Sequence, residues 1–168
     1  MQATMTKSAK AAKDAPKSPA ELERIIRQHE LFLARRGGQR ADLTLQNMCG
    51  VSLPGVNLTD AKLTGTNFEG AKLQRAVFDR CDMFGANLAY ADLTEASFVD
   101  TDLRGVTLRG AILHRAQMPN VDLRSGQLLS GGKGSDELKF ARTEMGKVDL
   151  SGAAMAGANL SQIGRAHV

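Results

Sequence analysis

Side chains able to do acid–base, nucleophilic or metal chemistry are few in these 168 residues and poorly spaced for it. The three histidines, His29, His114 and His167, share no pattern with a serine, a cysteine or a carboxylate pair of the kind that general acid–base or nucleophilic catalysis needs. Cys49 and Cys81 stand 32 positions apart, which is neither a metal-ligand spacing nor a disulfide framework. The 17 glycines build no phosphate-cradling loop motif. No catalytic residue, cofactor or metal site is therefore expected, and the chain is expected not to be an enzyme. The 18 Asp and Glu must then serve the architecture, so the elements that carry them have to be identified.

Hydrophobic residues make up 42% of the chain but aromatic ones only 4%, so the core has to be assembled from Leu, Met, Val and Ala. No apolar run reaches the ~18 residues of a membrane-spanning helix, and the start is Lys- and Ala-rich without the apolar segment of a secretory leader. A soluble cytoplasmic protein with no membrane partner is the expectation. The formal charge of +4 invites a nucleic-acid reading, but it is unevenly spread. Residues 1–40 hold nine basic and four acidic side chains, a net of +5, whereas 41–168 hold 13 and 14, a net of −1. Residues 1–17 lack apolar periodicity and read as a disordered basic tail. Lys7, Lys10, Lys13 and Lys17 there are the footing for any nucleic-acid contact, with no interleaved aromatics, so nucleic acid is the weaker partner.

Residues 18–38 carry the signals of a helix. Ser18 is an N-cap, Pro19 takes the first helical position, and Glu21 completes a capping box. Leu22, Ile25, Ile26, His29 and Leu33 recur on one side with Phe32 beside them. Arg35 and Arg36 suit the negative end, and Gly37-Gly38 stop the helix, giving a span of 19–36.

From Ala41 a five-residue period takes over. It runs as 18 units through 41–130, is interrupted by GGKGSDE at 131–137, and resumes as five units over 138–162, leaving 163–168 as a short tail. The third residue of all 18 leading units is Leu, Phe or Met, and the first is Ala, Val, Thr, Cys or Gly in 17, Gln46 being the exception. A period of five matches neither a helix nor a strand. It suits a coil in which each unit makes one side of a square, with the first and third residues inside and the other three facing solvent. Four units then close a 20-residue turn.

These units, such as Ala91-Asp92-Leu93-Thr94-Glu95 and Ala86-Asn87-Leu88-Ala89-Tyr90, resemble those of the pentapeptide-repeat family, as does the lead-in His29-Glu30-Leu31-Phe32-Leu33 followed by Gly37-Gly38-Gln39-Arg40-Ala41-Asp42-Leu43. The resemblance implies an all-β solenoid, a right-handed quadrilateral β-helix, here with an N-terminal α-helical cap. It also implies a non-enzymatic scaffold that works by protein–protein interaction. Some members resemble a DNA duplex in size and acidity and bind gyrase, a type II topoisomerase. A net of −1 over 41–168 departs from that pattern and disfavours DNA mimicry.

A 20-residue coil makes specific demands. Asp42, Lys62 and Asp82 would stack with alternating sign, as would Asp60, Arg80 and Asp100, and Arg75, Glu95 and Arg115. Asn47, Asn67 and Asn87 would form an amide ladder, and Leu58, Phe78, Phe98 and Met118 one internal stack. An end coil needs a cover, so Leu22, Ile25, Ile26 and Leu33 of the helix are expected over Leu43, Met48 and Leu53. The far end, after Leu160, suggests either a homodimer through an uncapped coil or a natural chain that continues beyond Val168. A partner could otherwise meet an outer wall, where Phe84, Tyr90, Val77 and Val99 fall, with Arg104 one coil above Phe84 at cation–π reach and Ile112 on the preceding wall. The interruption at 131–137, with Lys133, Asp136 and Glu137, is the remaining candidate.

Overall fold

The computed structural model describes residues 18–128, 139–141, 143–145 and 147–160. From Asp42 to Asp102 the second residue of each unit forms a parallel bridge with the residue twenty positions on. One wall runs Asp42, Lys62, Asp82, Asp102, Asp122; the next runs Asn47, Asn67, Asn87, Thr107; the third Ser52, Lys72, Asp92, Ile112; and the fourth Asn57, Val77, Ser97, Gln117. Four walls and a twenty-residue turn make a four-sided coil.

Backbone accounting explains the repeat. The second residue's N–H donates to the first carbonyl one coil below, as Lys72 does to Val51 at 2.8 Å, and the third residue's N–H donates to the second carbonyl one coil above, as Leu63 does to Asp82 at 2.8 Å. The fifth N–H bonds the fourth carbonyl of the coil above, Gly65 to Phe84 at 2.8 Å. The first N–H closes the corner onto the preceding third carbonyl, Ala61 to Leu58 at 2.9 Å. That corner is a turn whose fifth residue adopts positive φ, as at Asp60 (64°) and Arg80 (54°), the geometry of a type II turn. One donor per unit is left over, the N–H of the fourth residue. Where the second position is Asp or Asn its side chain takes it, from Asp42 with Thr44 at 3.1 Å to Asp149 with Ser151 at 2.9 Å. Where the second residue is Ser52 or Gln117, the fourth is Pro54 or Pro119, which has no N–H to satisfy.

Inside, every third residue from Leu58 to Leu123 is fully buried. Phe78 and Phe98 stack at 5.1 Å between centroids, and Phe68 meets Phe78 edge-on at 6.2 Å. Leu58 and Met118 continue that column. First-position hydroxyls and the Cys81 thiol donate to the third carbonyl of the coil below: Thr66 to Leu43 and Thr101 to Phe78, each at 2.8 Å, and Cys81 to Leu58 at 2.9 Å.

Helix α1 spans Pro19–Leu33, with Ser18 accepting the Glu21 N–H at 3.2 Å. It ends three residues before the expected Arg36, at a C-cap Ala34 followed by Arg35 in the left-handed region. The chain turns back early because the next residues must run along the helix. The Gln39 N–H bonds the Gln28 carbonyl at 3.1 Å, and Gly38 passes so close that a Cβ would collide with that oxygen. Leu22 is buried in the core cluster, and Ile25 and Ile26 pack against it. Leu33 is half-buried and outside that cluster; the fully buried residue of the face is His29. Of the three coil positions expected beneath the helix, Leu43 and Met48 are buried and Leu53 is half-buried.

The departure from the coil is longer than the break in the repeat. Above the fourth turn the bridges run Thr107 to Glu144, Ile112 to Asp149, Gln117 to Ala154 and Asp122 to Asn159, a spacing of 37 rather than twenty, so 17 residues leave the coil, not seven. Units 126–130 and 138–142 keep the repeat pattern in sequence but are not coil units. Instead β1 (Gly126–Leu128) pairs antiparallel with β2 (Lys139–Ala141), Gly126 opposite Ala141. Gly126 brings no side chain for an inward first position. Thr143 does: it is buried, its hydroxyl donates to the Arg124 carbonyl at 3.0 Å and accepts the Gly105 N–H at 3.1 Å, and the coil resumes there. The tail 1–17, the interruption 131–137 and residues 163–168 lie outside the described residues.

Candidate interaction surface

On the walls several charges are answered by a neighbour in the same column. Arg80 holds Asp60 with two hydrogen bonds at 2.8 and 2.9 Å, Lys62 stands 4.0 Å from Asp42, and Arg115 3.7 Å from Glu95. The amide ladder forms, Asn87 donating to Asn67 at 3.0 Å and Asn67 to Asn47 at 3.4 Å. One column does not alternate: Asp82, Asp102 and Asp122 stack as three carboxylates. Fourth-position arginines compensate. Arg104 grips Asp102 at 2.6 Å and lies 3.8 Å from Asp122, while Arg124 grips Asp122 at 2.7 Å. The Arg124 hydrogen bond holds the Asp122 carboxyl below the usual carboxylate range, as Arg80 does for Asp60.

The sequence-derived wall candidates separate into two groups. Phe84 lies under Arg104, 5.5 Å from guanidinium to ring centroid, but Gly126 at the start of β1 presses on the ring, leaving it half-buried. Arg104 is engaged by its carboxylates. These two residues therefore belong to the base of the excursion at 126–142. Tyr90, in contrast, is 56% exposed, with Arg109 over its ring at 5.6 Å and Gly110 beneath it, where a Cβ would collide. The sequence reading missed Arg109 because it lies 19 positions on from Tyr90, one short of the column spacing. Val77 and Val99 are half-buried on the fourth wall, and Ile112 is exposed on the third. Lys133, Asp136 and Glu137 are outside the described residues.

His114 Nδ1 meets Ser151 Oγ at 2.8 Å, a pair that sequence spacing could not show because the 17-residue departure hides their register. Asp149, which accepts the Ser151 N–H and has its carboxyl lowered chiefly by that bond, completes an exposed serine–histidine–aspartate group. The serine, rather than the histidine, is central here, so no base is aimed by a carboxylate at a nucleophile. Cys81 is an inert thiol: burial pushes its pKa up to about 12. Among the described residues no cluster of three His, Cys, Asp or Glu could hold a metal, and no helix is long and apolar enough to cross a membrane. A cleft of about 160 Å³ lies between α1 and the first coil, lined by Arg24, Ile25, Gln28, Gln39, Arg40, Ala41 and Asp42.

A family profile of pentapeptide repeats matches residues 39–65, 61–98 and 86–124, in eight copies. No curated protein matches the chain. Among solved structures, a pentapeptide repeat protein from the Arabidopsis thaliana thylakoid lumen is 23% identical, with 76% of this chain and 70% of that one covered and a TM-score of 0.34. A pentapeptide repeat protein from Nostoc is 20% identical over 76% of this chain and 92% of its own, with a TM-score of 0.44. QnrB1, a plasmid-mediated fluoroquinolone resistance protein, is 13% identical over 71% and 70%, also with a TM-score of 0.44.

Proposed function

The chain belongs to the pentapeptide-repeat family, whose fold is the right-handed quadrilateral β-helix, and on that premise we propose that it is a non-enzymatic cytoplasmic scaffold. Helix α1 caps the rod, and a protein partner is held against the excursion at 126–142 and the wall beside it. The observation that carries this reading is the clamp at the excursion's base. Thr143 ties the returning strand to Arg124 and Gly105, and Gly126 seats the outgoing strand on Phe84, itself roofed by Arg104. A rigid rod that fixes both feet of a departing segment presents it at a set angle, which is how scaffolds use loops. Tyr90 with Arg109 stands exposed one wall away and extends the same surface.

The test is affinity capture from lysate with the full chain and with a variant in which 129–138 is replaced by a two-glycine link. A partner retained by the first and lost by the second, with unchanged thermal unfolding, supports the reading; equal capture by both sinks it. DNA mimicry is the weaker reading, because in the acidic column Asp82–Asp102–Asp122 two of the three carboxylates, Asp102 and Asp122, are paired with Arg104 and Arg124. Gyrase supercoiling is expected to be unchanged by micromolar protein.

A further inference from the structure

His29 is fully buried where α1 meets the first coil. Its Nδ1 accepts the N–H of Ala41, the first amide of the repeat, at 3.0 Å. A ring nitrogen that accepts carries no proton, so the neutral ring keeps its proton on Nε2. That Nε2 is buried and forms no hydrogen bond of good geometry, although the Thr59 and Leu58 carbonyls act on the ring. Phe32, one turn on along the helix, stacks on the ring at 5.8 Å between centroids.

This tie between helix and coil can be made by one protonation state alone. A proton added at Nδ1 would turn the acceptor into a donor facing the Ala41 N–H, and would place a cation where water does not reach. The charged groups acting on the ring come from the coil and the connecting segment: Asp60 favours the cation and Arg40, itself bonded to the Asp60 carbonyl, opposes it. Burial is the largest influence and keeps the ring below the ordinary imidazole range, against the pull of the Thr59 carbonyl, Asp60 and the Leu58 carbonyl.

We propose that His29 is a proton-operated latch: acidification charges the ring and releases α1 from the first coil, uncovering the end of the rod at Leu43 and Met48. The sign follows from the lowered position of the ring in the docked state. Docking is fully supported above the ordinary value of 6.5 and is lost as pH falls below it, through the docked ring's own pKa.

Amide hydrogen exchange on the full chain at pH 7.5 and pH 5.0, corrected for intrinsic rates, reads the latch directly. Protection of the amides from Leu22 to His29 is expected to drop at least tenfold at pH 5.0, while the rungs from Leu63 to Phe98 keep theirs. His29→Gln offers an amide oxygen to the Ala41 N–H and cannot be charged, so its helix is expected to stay protected at both pH values. Should that variant fail to dock at all, the wild-type ring decides through its nitrogen chemical shifts. Protonation accompanied by loss of helix protection supports the latch. Unchanged helix protection at pH 5.0, or a ring that protonates with the helix still protected, overturns it.

Discussion

Leu43 and Met155 hold the same third position in their units, yet Leu43 is fully buried and Met155 half-buried. The same contrast separates the two ends as a whole. Leu43 and Met48 in the first coil are buried in one cluster with Leu22 of α1, whereas Met145 and Leu150 in the last coil are half-buried and Leu160 is 48% exposed. Burial is thus a property of the stack and not of the five-residue unit, because a side chain pointing down the axis is covered only if something lies on both sides of it. The rod's middle has a coil on either side, and burial falls off from there toward the last described coil.

The largest effect that can probe this comparison is truncation of the internal stack. Phe78→Ala, in the middle, is expected to cost about 3–5 kcal/mol and Leu43→Ala, beneath the helix, about 2–5 kcal/mol. Met155→Ala is expected to cost less than half the Leu43 value, since much of that side chain already meets water. Urea unfolding of the three variants gives the order. Equal losses at Leu43 and Met155 would mean that the last coil is covered as well as the first, as a homodimer meeting end to end would make it, and light scattering would then show the dimer.

The next effect concerns how α1 is held over its coil. Gly37 and Gly38 both have positive φ, but Gly37 faces open space while a Cβ on Gly38 would strike the Gln28 carbonyl. An alanine in the left-handed region costs roughly 1–2 kcal/mol, and that strain is all Gly37→Ala should show. Gly38→Ala adds the collision with helix backbone, so its loss should be clearly greater and accompanied by loss of helix signal in circular dichroism. Similar losses for the two would mean that the close approach of this segment does not matter to docking.

The repeat itself was open to reading in the sequence because each unit repeats one spatial role, and twenty-residue columns such as Asp60–Arg80 and Phe78–Phe98 could be drawn before any coordinates. The helix start was equally plain, since Ser18 and Pro19 act locally. Three features were hidden for physical reasons. The units 126–130 and 138–142 keep Leu128 and Phe140 in third position, so a pattern of side chains could not reveal that their backbones pair with each other. The early end of α1 depends on the contact between Gly38 and Gln28, which is tertiary. His29 was visible on the apolar face of the helix, but that its Nδ1 would hold Ala41 depends on a bond across 12 residues. The role of Asp and Asn at the second position belongs to a fourth class: the signal was in plain view, and only the leftover N–H of the fourth residue explains it.

That leftover donor gives a smaller test. Asn57→Ala removes the oxygen that takes the Thr59 N–H at 3.0 Å and should cost about 1 kcal/mol. Gln117→Ala sits in the equivalent position before Pro119, where there is no N–H to lose, and should be close to neutral. Thermal unfolding of the pair decides; equal losses would remove the accounting offered for the repeat.

The smallest effect lies on the walls, and pH separates it from the covered end. Arg80 and Asp60 pair at 2.8 Å with more than a third of each side chain exposed, so Arg80→Ala should lower Tm by no more than about 2 °C, and less at high salt. The pair holds the Asp60 carboxyl below 3.8, and a carboxyl lowered in the folded state gives stability that is present above its ordinary value and lost as pH falls through the folded one. The walls should therefore weaken only below about pH 4, whereas the His29 junction begins to lose its hold below 6.5. Acidifying wild type stepwise from pH 7.5 to pH 3 should remove helix protection first and coil rungs later, and Arg80→Ala should leave the first step where it is. A single step in which helix and rungs lose protection together would show that the end and the walls are one cooperative unit, with no separate junction to release.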